Sequence, residues 1–206
     1  MTRTELINAV RVRIDEVSSG AQPIVNVGVE ENNPTDAMID SLLDEAAVDV
    51  LLSAPAIRLP MADGSSSVIT PESGDNTVGS IALPANFLRM VCLQMSDWKR
   101  PLYDIYVAGS LMANRQKNRY LRGSSSKPAA VLEKTPTGYI LSYFSTGAAP
   151  HAIKRLDYIP VLTAENITGA QNQDALCWIC ASKVLTITQD NNAAAAAMEH
   201  AKNLLK

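Results

Sequence analysis

Apolar residues recur every three or four positions near both ends of the chain and in short, dense runs between them, and the two spacings predict helices outside and strands inside. Thr2 followed by Glu5 is a capping box, so a helix is expected to begin there, with Leu6, Val10, Ile14 and Val17 on one face and Ser18, Ser19 and Gly20 ending it. "NNPT" at 32–35 opens a second helix, with Thr35 as its expected N-cap and Asp36 in the first turn. Its buried stripe is read as Ile39, Leu42, Leu43, Ala46 and Val50, and Pro55 stops it. The stretch 56–82, rich in Gly, Ser, Asp and Pro, reads as a long exposed loop or a hairpin, and its part 62–80 as either an ordinary mobile loop or an arm that orders on a neighbour. "FLRMVCLQM" (87–95), "PAAVLEK" (128–134), "GYILSYFS" (138–145) and "AIKRLDYI" (152–159) predict strands of a small antiparallel sheet. A short helix is expected from about 104 to 116, before a basic Gly-Ser stretch.

The last part is helical again. Leu176, Cys180, Val184 and Ile187 form one stripe with Cys177, Ala181 and Leu185 beside it, and Trp178 reads as core. Asp190 or Asn191 then caps a final helix, favoured by the alanine run 193–197 and continued by Met198, Ala201, Leu204 and Leu205. The fold class is therefore α+β: a helical bundle from the N- and C-terminal helices (1–55 and 172–206), with a small antiparallel β-rich section (56–171) inserted between them in one domain.

Composition confirms a chain able to bury a core: 206 residues, 47% hydrophobic. No apolar run approaches the roughly 18 residues that span a bilayer, and the first residues lack a signal-peptide core. A soluble protein with no membrane partner, made in a cytoplasm, is the expectation. The net charge of −3 hides an asymmetry. Residues 1–80 hold four basic and thirteen acidic residues, many of them (Asp40, Asp44, Glu45, Asp49) on the second helix; residues 99–127 hold seven basic residues (Lys99, Arg100, Arg115, Lys117, Arg119, Arg122 and Lys127) against Asp104. Such a chain can bind nucleic acid through the basic segment, or bind a copy of itself by setting that segment against the acidic face of the next subunit, or both stretches can be merely solvated faces.

"CWIC", Cys177 to Cys180, is the motif that most resembles chemistry. A redox pair calls for a preceding strand of a βαβ unit and a zinc site for further ligands, of which Cys92, His151 and His200 are the candidates; the surrounding apolar stripe reads instead as core packing. Three cysteines are too few for a disulfide framework. There is no nucleophile elbow, H-E-x-x-H, EF-hand loop or P-loop, and two histidines leave few bases for a nucleophile, with His200 expected to be exposed. No catalytic residue, metal or cofactor is assigned. Trp98, in "SDWKRP", either anchors an interface or covers the sheet edge.

The segments "LPANFLRMVCLQMSDWKRPLYD" (83–104), "NRYLRGSSSKPAAVL" (118–132) and "ALCWICASKVLTI" (175–187) together resemble head-tail connector proteins of tailed bacteriophages, in particular the ring or adaptor proteins of crAss-like phages of Bacteroidetes. The resemblance implies a structural virion protein, not an enzyme: a dodecameric ring of identical subunits in the head-tail neck, between portal and tail and around the DNA channel. Its implied partners are itself, the portal protein, tail or other neck proteins, and packaged DNA passing without sequence specificity. The implied location is the virion, after synthesis in the bacterial host cytoplasm. Candidate interface residues are Trp98, Lys99, Arg100, Arg115, Lys117, Arg119 and Arg122, with Asp40, Asp44 and Asp49 as the acidic counterpart. The alternative is a nucleic-acid-binding module using 99–127, with Tyr103, Tyr106 and Tyr120 as stacking groups.

Overall fold

In the computed structural model the described residues are 1–17, 34–144, 146–147 and 151–206. They form helices and strands in the order α1 (Arg3–Val17), α2 (Pro34–Ser53), β1 (Ala62–Asp63), β2 (Ile69–Glu72), β3 (Asp75–Ala82), β4 (Phe87–Met95), β5 (Tyr106–Val107), α3 (Leu111–Gln116), β6 (Ala129–Thr135), β7 (Gly138–Phe144), β8 (Ile153–Pro160), α4 (Ala170–Ile187) and α5 (Asn191–Leu204), with single 3-10 turns at Ala56–Arg58 and Ala164–Asn166. The chain divides into two compact units. One is built from two chain segments, 1–60 and 161–206; the other, 61–160, lies between them in sequence.

In the helical unit α4 is central. It packs against α1, α2 and α5, and from Ala175 to Ser182 every residue is buried. A helix apolar on all sides needs neighbours on all sides, and small residues let them come close. In α5 these are Ala193, Ala194, Ala197 and Ala201, all buried; in α2 they are Ala46 and Ala47. The Ser182 hydroxyl donates to the Ala194 carbonyl at 2.8 Å, satisfying a buried polar group across the α4–α5 contact.

The helix ends follow local chemistry. The Thr2 amide donates to Glu5 Oε2 at 2.8 Å and the Glu5 amide to Thr2 Oγ1 at 3.3 Å, the expected reciprocal cap. Asp190 caps α5 by accepting from the Ala193 amide. The expected Thr35 cap is corrected: α2 begins at Pro34, where a missing amide hydrogen costs nothing, so Thr35 lies inside the first turn. The expected stop at Ser18, Ser19 and Gly20 lies outside the described residues. In the α2 stripe Leu42 is half-buried, while Ala47 and Leu51 join the core.

The α+β class is as the sequence indicates, but the simple bundle with one small antiparallel sheet is not. The strands form two sheets, β1-β8-β4 and β2-β3-β7-β6-β5, and α3 lies among them. Among the described residues all strand pairs are antiparallel except β5 with β6. Of the loop and the hairpin expected for 56–82, the hairpin is observed over 69–82: β2 and β3 pair through a two-residue turn in which Gly74 takes φ +89°, open to glycine at no steric cost. Strand β4 matches its predicted bounds, yet register shifts against β8 break its alternation, so that Cys92 and Leu93 are both buried. The core of this unit joins Ile81, Leu93, Leu141, Tyr143, Leu156 and Trp98 from both sheets.

Close α4–α5 packing predicts an asymmetric response to added volume. Ala197→Leu, at a position with no exposure, is expected to destabilise by about 1–3 kcal/mol through overpacking. Ala195→Leu, exposed on the same helix, should stay within about 0.5 kcal/mol of the parent. Urea denaturation of both variants checks this, and equal effects would contradict the packing described.

Candidate partner interface

The stretch 99–127 does not form the expected helix from 104 to 116. After β4 the chain doubles back so that Leu93 and Leu102 exchange backbone hydrogen bonds of 2.9 and 2.7 Å. It then lays β5 beside β6, and only Leu111–Gln116 is helical. Ser110 caps this short helix by accepting from the Ala113 amide at 3.2 Å.

One side of the segment 111–122 is locked to the sheet. Ala113 packs in a cluster with Val78, Val131 and Phe144. This explains why β6 begins with three consecutive buried residues: Ala129 and Val131 face the α3 side while Ala130 faces the main core. Gln116 is buried, donating from Nε2 to the Met112 carbonyl at 3.2 Å and accepting at Oε1 from the Gly123 amide at 2.8 Å. Gly123 is required at that turn because a Cβ would lie 2.7 Å from the Lys127 carbonyl oxygen. Arg122 donates from Nη1 to Asp75 Oδ2 at 2.7 Å. Bonds from the Thr77 hydroxyl and amide, and then from Arg122, hold the Asp75 carboxyl at about 2. Sequence reading missed Gln116 as a pin; a lone Gln in a basic stretch carries no signal of burial.

The opposite side faces solvent. Lys99, Arg100, Arg115, Lys117 and Arg119 are exposed, and none forms an ion pair among the described residues. Of the seven basic residues of the stretch, Arg122 is the one that forms an ion pair among the described residues. Leu111, Met112, Tyr120 and Leu121 of the same segment are exposed as well, an apolar component that a reading centred on charge overlooked. Trp98 is corrected as an interface candidate: it is 3% exposed and belongs to the core between the sheets.

The acidic candidates lie in the helical unit and have partners there. Arg3 pairs with Asp40, Asp44 and Glu165, and Asp44 also accepts from the Ala164 amide at 3.0 Å. Asp36 pairs with Arg11, and Lys183 bridges Glu45 at 2.6 Å and Asp49 at 2.9 Å. For Lys183 desolvation works against the charge, but the hydrogen bonds its ammonium donates to Glu45 and Asp49 outweigh it and raise its pKa. The acidic surface of α2 is thus tied to α1, α4 and the turn before α4.

The cysteine motif is part of the helical core. Cys177 and Cys180 are buried, with the Cys180 thiol 3.8 Å from the Ile39 carbonyl oxygen as a weak donor. Burial pushes the Cys177 thiol up to about 11 and the Cys180 thiol up to about 12, which opposes nucleophilic or metal-binding thiolate. Cys92 belongs to the other unit and is likewise raised by burial. Among the described residues no group of three or more His, Cys, Asp or Glu side chains is arranged to hold a metal. His200 is exposed and stacks on Trp178 at 4.8 Å. His151 Nδ1 lies 2.6 Å from the Thr146 hydroxyl. That hydroxyl donates to the Thr77 carbonyl at 3.2 Å, so the Thr–His pair is committed to the backbone and not set up as nucleophile and base.

Buried thiols with raised pKa values should be inert. Native protein at pH 8 is expected to leave Cys92, Cys177 and Cys180 unmodified by a disulfide thiol reagent and to titrate all three in denaturant; rapid modification of Cys177 or Cys180 in the native state would reopen a redox reading. No protein-family model matches the chain, and no curated protein matches it.

Proposed function

We propose that this chain is a structural virion protein: a subunit of a dodecameric ring in the head-tail neck, below the portal, that joins capsid to tail around the DNA channel. The observation that carries the reading is the uneven disposal of charge. Four cations of the helical unit, Arg3, Arg11, Arg13 and Lys183, are matched by carboxylates within it, whereas Lys99, Arg100, Arg115, Lys117 and Arg119 of the strand-rich unit are exposed with no ion pair among the described residues. A surface of this kind supports contact with a partner more than chemistry. The sequence resemblance supplies the identity of that partner. In this reading the helices form the ring-building bundle and the strand-rich unit is its insertion. Portal protein, tail or other neck proteins are the neighbours, and DNA passes without specific recognition. The protein is made in the bacterial host cytoplasm and resides in the virion; it acts without catalytic residues or cofactor.

Internal pairing of Asp40, Asp44 and Asp49 bears on how the ring closes. A head-to-tail contact between α2 of one copy and the basic segment of the next would compete with existing ion pairs worth roughly 0–1 kcal/mol each, so the basic segment gains less there than from a carboxylate without a partner. A second reading, a nucleic-acid-binding module, is favoured by one observation: Tyr103 and Tyr120 are exposed among the cations, as stacking groups would be.

Native mass measurement separates the two. The purified chain mixed with the portal of the same virus is expected to form a stoichiometric ring on it, and Arg115→Glu with Arg119→Glu should weaken that assembly. A chain that ignores the portal yet binds short DNA with steep salt dependence would replace the ring reading with the second.

A further inference from the structure

The segment 111–122 has two sides of opposite character. Its inner side is fixed by Ala113 in a core cluster, by both hydrogen bonds of the Gln116 amide and by the Arg122–Asp75 ion pair. Exposed along the same segment are Leu111, 78% exposed, Leu121, 53% exposed, and Tyr120, 94% exposed, interleaved in sequence with exposed Arg115, Lys117 and Arg119. The Arg115 guanidinium lies 3.9 Å from the Met112 sulfur, so charge and apolar surface are neighbours within one patch. Isolated exposed apolar residues are ordinary, but a cluster on a segment whose backbone is pinned from beneath is pre-organised, and little ordering entropy is lost when a partner binds.

We propose that this outer face is the docking surface for an acidic segment of another protein that carries aliphatic side chains, such as an amphipathic helix with Leu on one side and Glu or Asp beside it. Three observations choose this occupant. The cations have no carboxylate partner among the described residues, which calls for an acidic one. The exposed aliphatic residues gain from burial against apolar side chains and gain little from a sugar-phosphate chain, which favours protein over nucleic acid. The α2 carboxylates are engaged by Arg3, Arg11 and Lys183, which disfavours α2 of a second copy. The inference deepens the assembly reading and rests on it for placing the partner in the same particle.

The test uses the full chain with two fluorescent probes, a synthetic helical peptide with leucines on one face and glutamates on the other, and a short DNA duplex, read by anisotropy. The peptide is expected to bind saturably. Leu111→Ser with Leu121→Ser should weaken it by about tenfold or more. Arg115→Glu with Arg119→Glu should weaken it and flatten its salt dependence. All four positions are exposed, so unchanged melting of both variants is expected and shows that the loss is local. Absence of peptide binding, peptide affinity untouched by the leucine substitutions, or tighter binding of the duplex than of the peptide overturns the proposal. Ring formation on the portal without peptide binding would remove this inference alone, while peptide binding without a ring would uphold it and remove the ring.

Discussion

Burial of the middle of α4 is the constraint on which the helical unit depends. Eight consecutive residues, Ala175–Ser182, are hidden from solvent, and a helix cannot hide every side without being surrounded. That requirement draws in α1 and α2 from one end of the chain and α5 from the other, although more than a hundred residues separate α2 from α4 in sequence. It also dictates composition. Alanines at 46, 47, 193, 194, 197 and 201 are buried on the helices that pack against α4, where Leu176, Trp178 and Ile179 are buried too, and the two cysteines are small, weakly polar core residues among them. The CWIC motif is a consequence of packing.

Around that apolar centre the polar sides of the helices are joined by ion pairs: Arg11 to Asp36 and Arg3 to Asp40 between α1 and α2, Arg13 to Asp174 between α1 and α4, Lys183 to Glu45 and Asp49 between α4 and α2. These side chains remain partly exposed, so each pair contributes roughly 0–1 kcal/mol. Their larger effect is on what is left over. By satisfying the carboxylates of α2 internally, they remove the obvious complement to the basic stretch of the other unit.

The strand-rich unit solves a different problem. A sheet with one face on its core must cover or solvate the other. Here α3 covers the second face of β6 and β7 only in part, through Ala113 against Val131 and Phe144. A six-residue helix is too short to be stable alone. It is held by its Ser110 cap, by Gln116 and by the Arg122–Asp75 pair across to the β2–β3 hairpin. The consequence is an exposed segment with a fixed backbone, which is the physical basis for reading it as a contact surface.

Periodicity and end chemistry made much of this legible from sequence. The Thr2–Glu5 and Asp190 caps, the bounds of β4, the strands near 129, 138 and 153, and the helix through CWIC depend on local residues, and local residues determined them. The overcount of helix at 104–116 came from a local pattern overridden by pairing with β6, a strand distant in sequence. Charge totals were equally legible, but partnership was not. Whether Asp40 faces Arg3 of its own chain or a cation elsewhere depends on how α1 lies on α2, and whether Trp98 is a surface anchor or core depends on two sheets closing over it. Sequence alone determined which residues are apolar, charged or capping; tertiary structure decided which charges are already neutralised and which apolar residues remain in water, because both depend on contacts between segments that no local spacing encodes.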